Sequence, residues 1–225
     1  MKRRPEPELM DGAEQALAYA EADFSDSNSL FIDLLGQLKP GPLHGARALD
    51  LGCGPGDIAV RFLRAYPQAH CDALDGSPAM LEHARAALDK FPGAAARCRL
   101  LLDRLPSGDL APAHYDLILS NSLLHHLHDP QILWRTVRET AKPGALVLIM
   151  DLMRPASAAW AEALVETYAR GMPEILRNDY RHSLFAAFEP REVIEQLKDA
   201  GLDGLEVGVV SDRHLAISGR LGTGL

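Results

Sequence analysis

Three glycines alternate along a short stretch that joins an apolar run to an amphipathic one. Gly52, Gly54 and Gly56 end the apolar run, and the amphipathic stretch 58–66 follows. Because glycine has no Cβ, such a turn lets a ligand approach the backbone closely. An acid, Asp75, stands 19 residues after Gly56, where the next apolar run ends. In a doubly wound sheet, an acid at that place accepts hydrogen bonds from both hydroxyls of a ribose.

The residues beside the glycines separate this turn from a phosphate-binding loop. Gly56 is followed by Asp57 and Ile58, whereas a phosphate loop needs Gly-Lys-Ser/Thr. An acid so close to the turn also repels pyrophosphate. The turn therefore favours a nucleoside without phosphates, including one that carries a positive charge.

Strand and helix patterns alternate along the first two thirds of the chain, which predicts a parallel, doubly wound α/β sheet. The predicted strands are 46–51, 71–75, 97–102, 115–120 and 145–151, and the predicted helices are 13–22, 29–38, 58–66, 78–90 and 130–140. Ser77 is the predicted cap of the fourth helix, with Pro78 at its first position. Residues 26–28 are predicted to cap the second helix, and residues 142–144 to form the turn before the fifth strand.

The alternation breaks after the fifth predicted strand. Two helical stretches, 157–169 and 173–188, follow with no strand between them, and a further helix spans 190–200. Two strands, 205–210 and 215–220, then form a hairpin. The chain is therefore predicted to form a mostly parallel seven-stranded sheet with a terminal antiparallel hairpin and a helical insertion after the fifth strand. A terminal hairpin is not typical of a dinucleotide-binding dehydrogenase.

Length and composition indicate one ordinary globular domain of 225 residues. The net charge of -8 argues against non-specific binding to nucleic acid. Three cysteines without metal-ligand spacing favour a reducing compartment. No apolar run approaches the ~20 residues of a membrane helix. We expect a cytoplasmic monomer or homodimer that binds a small molecule and neither nucleic acid nor a membrane. The charged first eight residues are expected to be frayed, with residues 2–4 solvated.

Four motifs together resemble those of class I S-adenosylmethionine-dependent methyltransferases, most closely the small-molecule enzymes of ubiquinone and menaquinone biosynthesis. They are Leu-Asp-Leu-Gly-Cys-Gly-Pro-Gly at 49–56, Ala-Leu-Asp-Gly-Ser-Pro-Ala-Met-Leu at 73–81, Tyr-Asp-Leu-Ile-Leu-Ser-Asn at 115–121 and Lys-Pro-Gly-Ala-Leu-Val-Leu at 142–148. The resemblance covers roughly residues 47–151 and the terminal hairpin. It implies a Rossmann-like fold and S-adenosylmethionine as the cofactor.

The resemblance also implies which residues bind the cofactor. Asp50 would orient the glycine turn, Asp75 would hold the ribose hydroxyls, and Asp103 would accept from the adenine amino group. A surface carboxylate in a turn is the alternative for Asp103. The full implied set is Asp50, Gly52, Cys53, Gly54, Gly56, Asp75, Gly76, Ser77, Met80, Asp103, Ser120 and Asn121.

Three histidines follow the third motif, where the family places residues that face the substrate. His125 or His126 is the predicted general base, and His128 is a weaker candidate. The alternatives are a histidine satisfied by backbone at a helix start, and methyl transfer by alignment alone. The spacing of these histidines, and the absence of clustered acids or cysteines, predict that no metal binds here.

The substrate is predicted to lie under two helical segments. Residues 1–45 would form an N-terminal lid, in which Tyr19, Phe24 and Asn28 cover the cofactor, and residues 152–189 would form a cap. Arg154 is predicted to clamp an anionic group of the substrate or, alternatively, to form a surface salt bridge. The candidate substrate residues are Tyr19, His125, Arg154, Tyr180 and Arg181, with Arg213 and His214 at the hairpin turn as weaker candidates.

The sequence thus predicts methyl transfer from S-adenosylmethionine to a small-molecule acceptor, anionic acceptors included. Three alternatives stay open. A non-methylating or regulatory protein would bind the same cofactor without turnover. A nicotinamide-dependent oxidoreductase would need a different glycine spacing, and a methyltransferase of macromolecules would be expected to carry an added binding domain.

Overall fold

The computed structural model describes residues 1–6 and 12–222, which build one seven-stranded sheet in the order β3-β2-β1-β4-β5-β7-β6. The strands are β1 (Arg47–Leu51), β2 (His70–Asp75), β3 (Cys98–Leu102), β4 (Tyr115–Asn121), β5 (Ala141–Leu152), β6 (Glu206–Val209) and β7 (His214–Arg220). β1 to β5 pair in parallel, and β7 is antiparallel to both β5 and β6. The predicted fold class is confirmed.

Helices cover both faces of this sheet. They are α1 (Ala13–Glu21), α2 (Ser25–Leu38), α3 (Asp57–Ala65), α4 (Pro78–Asp89), α5 (Pro92–Ala95), α6 (Gln131–Thr140), α7 (Ala158–Tyr168), α8 (Glu174–Ala186) and α9 (Pro190–Asp199). Successive side chains of a strand point to opposite faces, so in β1 Ala48 joins the core under α2, α3 and α4, while Leu49 joins the core under α6 and α9. No helix in the described part of the chain has both the length and the apolar character that crossing a bilayer requires.

The helical insertion after β5 has a small core of its own. Leu164 and Val165 of α7 pack with Leu184 of α8 and with Leu152 at the end of β5. α1 contacts both α8 and α4. The N-terminal helices and the insertion therefore meet over the edge of the sheet where the parallel strands end, which is the edge at which open sheets bind ligands.

Two predicted boundaries are wrong. α2 begins at Ser25, because the Asp23 carboxylate accepts a hydrogen bond from the Ser25 amide at 2.9 Å, so the predicted cap 26–28 lies within the helix. The predicted turn 142–144 lies within β5 as an irregularity at which the register with β4 shifts. The Ser77 cap is confirmed, since its hydroxyl accepts from the Met80 amide at 3.4 Å.

The expectation of a frayed N-terminus is also wrong for the described residues 1–6, and Arg3 is not solvated, whereas Lys2 and Arg4 are exposed as expected. The Arg3 guanidinium donates to the carbonyls of Ala186, His125 and Leu127 at 2.5, 2.9 and 3.0 Å. It also lies 3.9 Å from the centre of the Phe188 ring. A planar cation with five donors satisfies several carbonyls at once, so Arg3 ties the start of the chain to the insertion. Pro7 and Glu8 lie outside the described residues.

Gly56 is the point at which the glycine turn passes into α3. Its φ is +86°, in the left-handed region, and a Cβ added there would lie 3.1 Å from both Cα and Cβ of Ala84 in α4. The absence of a side chain at this position therefore has two effects. It permits the backbone conformation, and it lets α3 begin against α4.

Gly56→Ala is expected to lower the free energy of unfolding by about 1–3 kcal/mol, because an L side chain at positive φ is strained and this one also meets the α4 backbone. Urea unfolding measures the change. The matched control is Gly36→Ala in α2, where nothing lies within 4 Å of the added Cβ, so replacing a helical glycine there is expected to raise stability by about 0.5–1 kcal/mol. Equal stability of Gly56→Ala and the unmodified protein would refute this packing role.

Candidate functional site

The glycine turn is bonded to the end of the neighbouring strand, β2. The amides of Gly52 and Cys53 donate to the Leu74 carbonyl at 2.9 and 3.0 Å. One oxygen of the Asp75 carboxylate accepts from the Gly54 amide at 2.8 Å, and the other accepts from the Ser77 amide at 2.8 Å. A carboxylate oxygen has a second lone pair, so Asp75 can hold both loops and still accept from a ligand.

A cavity opens beside this turn, and we call it the turn cavity. Its lining includes the predicted cofactor residues Asp50, Gly52, Cys53, Gly54, Asp75, Gly76, Ser77, Met80, Asp103 and Asn121. Asp57, Arg104 and Ser122 also line it and were not predicted. The structure thus brings together, on one wall, residues that follow four different strands.

Two predicted cofactor residues are not on this wall. Ser120 is fully buried within β4, where its hydroxyl donates to the Leu51 carbonyl at 2.8 Å and so fastens β4 to β1. Gly56 packs against α4 instead of facing the turn cavity. Both residues therefore act indirectly, because they position the strands and the helix on which the cavity-lining residues lie.

Asp50 is buried at the floor of the turn cavity. Burial, together with the nearby Asp75 carboxylate, raises the pKa of Asp50 to about 7. Its Oδ2 atom is buried and has no hydrogen-bond partner among the described residues. A buried acceptor without a donor is costly. A ligand that brings a hydrogen-bond donor or a positive charge to Asp50 would therefore be stabilised there. Burial also raises the pKa of the neighbouring Cys53 thiol, which favours its neutral form.

Asp103, which follows β3, lines the same cavity. One of its carboxylate oxygens accepts from the Arg104 amide at 2.8 Å, and the other accepts from the Ser107 hydroxyl at 2.5 Å. These bonds fix the carboxylate at the cavity wall and leave lone pairs on both oxygens. This position suits the adenine contact that the sequence predicts.

A second cavity of about 550 Å³ lies between the N-terminal helices and the insertion, and we call it the cap cavity. A volume of this size is typical of sites for small molecules. The turn cavity and the cap cavity share six lining residues, which are Tyr19, Phe24, Asn28, Asn121, Ser122 and His126. A ligand in one cavity is thereby in reach of a ligand in the other.

His125 is fixed at the wall of the cap cavity by Asp151 at the end of β5. Its Nδ1–H donates to the Asp151 carboxylate at 2.5 Å, and only 3% of the His125 side chain is exposed. Burial by itself lowers the pKa of His125, but the Asp151 carboxylate and the nearby Glu6 outweigh burial and raise it. The role of Asp151 was not predicted, although its place at the carboxyl end of a parallel strand was a signal for it.

His126 lies beside His125, with 4.2 Å between the ring centres, and it lines both cavities. Glu6 faces both rings, because its Oε1 lies 3.5 Å from Nε2 of His125 and 3.4 Å from Nδ1 of His126. The expectation that no acid clusters with these histidines is therefore wrong. Spacing along the chain cannot reveal Glu6, since only the folded N-terminus brings it to the histidines.

The predicted substrate residues divide into two groups. Tyr19, Tyr180 and His125 line the cap cavity. The Tyr180 hydroxyl is buried without a hydrogen-bond partner among the described residues, so it has a donor to offer a ligand. Arg213 and His214, the weaker candidates, also line this cavity.

The two remaining predicted substrate residues, Arg154 and Arg181, form salt bridges and line neither cavity. Arg154 is buried, and its guanidinium lies 2.9 Å from the Glu189 carboxylate and 2.8 Å from that of Glu192. The predicted anion clamp is thus corrected to a salt bridge, which is buried and not at the surface as the alternative had it, because two acids at the start of α9 occupy the guanidinium. Arg181 is likewise paired with Glu162, at 2.8 Å on the outer surface of the insertion.

Comparison with known proteins agrees with this geometry. Residues 49–147 match the family described as "Methyltransferase domain". Human methyltransferase-like protein 27 is 35% identical over 146 residues, which cover 63% of this chain and 55% of that protein. Trans-aconitate 2-methyltransferase of Methylobacterium radiotolerans is 34% identical over 143 residues, 58% of this chain and 52% of that enzyme. The chain thus spans about half the length of these two curated relatives.

A solved structure shares the fold over nearly the whole chain. The crystal structure of a SAM-dependent methyltransferase from Aquifex aeolicus aligns with a TM-score of 0.66 at 18% identity, covering 93% of this chain and 98% of that one. The strand order, the glycine turn tied to Asp75 and the matched domain all agree with the resemblance seen in the sequence. Residues 49–147 of this chain thus match a methyltransferase domain, and the chain shares its fold with an S-adenosylmethionine-dependent methyltransferase.

Proposed function

We propose that this protein transfers a methyl group from S-adenosylmethionine to a small-molecule acceptor bound in the cap cavity. The shared wall of the turn cavity and the cap cavity carries this proposal. When bound, S-adenosylmethionine supplies a methyl group on a positively charged sulfur. The protein's own contribution is to hold that group and the acceptor in line and apart from water, which accounts for much of the rate in reactions of this kind.

The residues of the turn cavity fit this cofactor. Asp50 supplies the unsatisfied acidic oxygen that a cationic ligand calls for. Gly54 has a φ of +52°, and nothing lies within 4 Å of the place where its Cβ would stand, so its backbone is open to a ligand. We assign Asp75 to the ribose hydroxyls and Asp103 to the adenine amino group. Cys53, Gly76, Ser77, Met80 and Asn121 complete the wall.

The acceptor is placed by the two helical segments. We propose that residues 1–45 act as a lid and residues 152–189 as a cap within one domain, because both supply walls of the cap cavity. Tyr19 lies where the two cavities meet, and Tyr180 offers its hydroxyl to the acceptor. We assign His125 and His126 to act on the acceptor beside the transferring methyl group. The relative named for trans-aconitate supports a small organic acid as one acceptor to test.

The unpaired cysteines support a reducing compartment for this protein. Cys53 and Cys71 are buried and Cys98 is partly buried, and all three are free thiols. Disulfides are rare in the cytosol and frequent in secreted proteins. We therefore place the protein in the cytoplasm.

Saturating S-adenosylhomocysteine is expected to raise the melting temperature by several degrees, because a ligand at 100 times its Kd stabilises the fold by about 2.7 kcal/mol. Asp75→Asn is expected to remove most of that increase, since it replaces the carboxylate that faces the ribose. The control is Asp89→Asn, an exposed acid near the end of α4, which should keep the full increase. Unchanged melting of the unmodified protein at saturating ligand would refute the cofactor assignment.

The affinity for S-adenosylmethionine is expected to rise with pH and to level off above about pH 7. Free Asp50 has a pKa of about 7, and the cationic cofactor favours its ionised form. Binding below pH 7 therefore releases a proton and is weaker at lower pH. Titration calorimetry should show a loss of about 10-fold or more from pH 7.5 to 5.5. Asp50→Asn should flatten this profile, whereas an identical slope in that variant would assign the proton to another group.

Methyl transfer itself is tested by incubating the protein with S-adenosylmethionine and a panel of small organic acids, phenols and amines, and by measuring S-adenosylhomocysteine. For an acceptor that turns over, Tyr180→Phe is expected to raise KM about 5- to 30-fold, because the variant loses one buried hydrogen bond to the acceptor. Arg181→Ala, outside the cap cavity, is the control and should leave KM unchanged. Cofactor binding without product from any acceptor would favour the non-methylating alternative.

A further inference from the structure

The wall of the cap cavity contains three metal-ligating side chains whose donor atoms converge. One donor atom from each of Glu6, His125 and His126 lies within 4.8 Å of the other two. Oε1 of Glu6 faces Nε2 of His125 and Nδ1 of His126. A carboxylate with two imidazoles is a frequent ligand set for divalent zinc and its neighbours in the first transition row. Within the described residues 1–6 and 12–222, this is the one group of three such ligands found together.

One oxygen of the carboxylate at the centre of the group lacks a hydrogen-bond donor among the described residues. The Glu6 side chain is 9% exposed, and its Oε1 is buried without a hydrogen-bond partner among the described residues. His125 cannot donate to it in its neutral form. Because Nδ1 of His125 carries the hydrogen that Asp151 accepts, Nε2 then holds a lone pair, and this atom faces Glu6 at 3.5 Å. In that form two acceptors face each other in a buried site, an arrangement that a cation between them would stabilise.

The spacing of these atoms fits a metal ion. A tetrahedral zinc site with bonds of about 2.1 Å has ligand atoms about 3.4 Å apart. Glu6 lies 3.5 Å from its partner atom on His125 and 3.4 Å from that on His126. The donor atoms of the two histidines are at most 4.8 Å apart, a separation that rotation of one imidazole reduces.

The residues around the group resemble the surroundings of known metal sites. Histidines that bind metals usually donate their second ring nitrogen to a carboxylate, which fixes the ring and makes it a better ligand. Asp151 does this for His125. Arg3 adds a positive charge nearby through its bond to the His125 carbonyl, and the two carboxylates, Glu6 and Asp151, outweigh it.

We propose that Glu6, His125 and His126 bind one divalent transition-metal ion, with zinc as the best fit, at the wall of the cap cavity. Three protein ligands leave the fourth position of a tetrahedral ion open, and the three ligating residues line the cap cavity. The open position takes an oxygen atom of the ligand in that cavity, such as a hydroxyl or a carboxylate. The role of this metal ion in methyl transfer rests on the proposed function, whereas the existence of the metal site does not.

The test is a titration of untagged protein, freed of metal with a chelator, in the absence of cofactor and acceptor. Zn²⁺ is followed by calorimetry and Co²⁺ by the visible absorption of a four-coordinate ion. One equivalent is expected to bind. Glu6→Gln, which keeps the size of the side chain, and His126→Ala are each expected to weaken binding by 10- to 100-fold. His70→Gln, an exposed histidine on β2, is the control and should bind as the unmodified protein does.

Two results would overturn the proposal. One is the absence of stoichiometric binding by the folded protein. The other is binding that Glu6→Gln and His126→Ala leave unchanged, which would place the ion elsewhere. Circular dichroism of each variant shows that it is folded. Binding of S-adenosylhomocysteine by Glu6→Gln separates this outcome from a failure of the proposed function, because Glu6 is outside the turn cavity.

Discussion

The site depends on one carboxylate that ties two loops together. Asp75 accepts from the amide of Gly54 and from the amide of Ser77, so the turn after β1 and the start of α4 are held to the end of β2. The parallel pairing of β1 with β2 sets the distance between these two loops. A sheet that brings two strand ends together also brings two loops together, and a single acid between them fixes a surface against which a nucleoside can lie.

The rest of the molecule is arranged around that surface. Gly56 lets α3 begin against α4, and Ser120 fastens β4 to β1 from behind. On the open side, the N-terminal helices and the insertion enclose the cap cavity. His126 stands where the two cavities meet, and Asp151 orients His125 beside it. Under the proposed function, the sheet edge would hold the cofactor and the helical segments would select the acceptor, which accords with a fold that serves many substrates.

The sequence predicts those features that arise between near neighbours in the chain. The order of strands and helices, the Ser77 cap and the residues of the glycine turn all depend on local patterns, and the structure has them. Even so, α2 begins four residues earlier than predicted, because an Asp23 side chain outside the expected cap satisfies the amide of Ser25.

What the sequence does not predict is pairing between distant segments. Arg154 is at the sheet edge, where an anion clamp would be, yet Glu189 and Glu192, at the start of α9, pair with it. Glu6 lies in a charged segment that shows no periodicity, and it still reaches His125 and His126, because Arg3 anchors the chain to three carbonyls. Such contacts depend on packing of the whole fold.

The central claim is that the turn cavity holds S-adenosylmethionine with its reactive end towards the cap cavity. A crystal structure with S-adenosylhomocysteine tests it most directly. The account predicts ribose hydroxyls within hydrogen-bond distance of the Asp75 carboxylate, and a sulfur atom at the wall shared by Asn121, Ser122 and His126. A ligand bound outside the turn cavity, or one whose sulfur faces away from that shared wall, would contradict it.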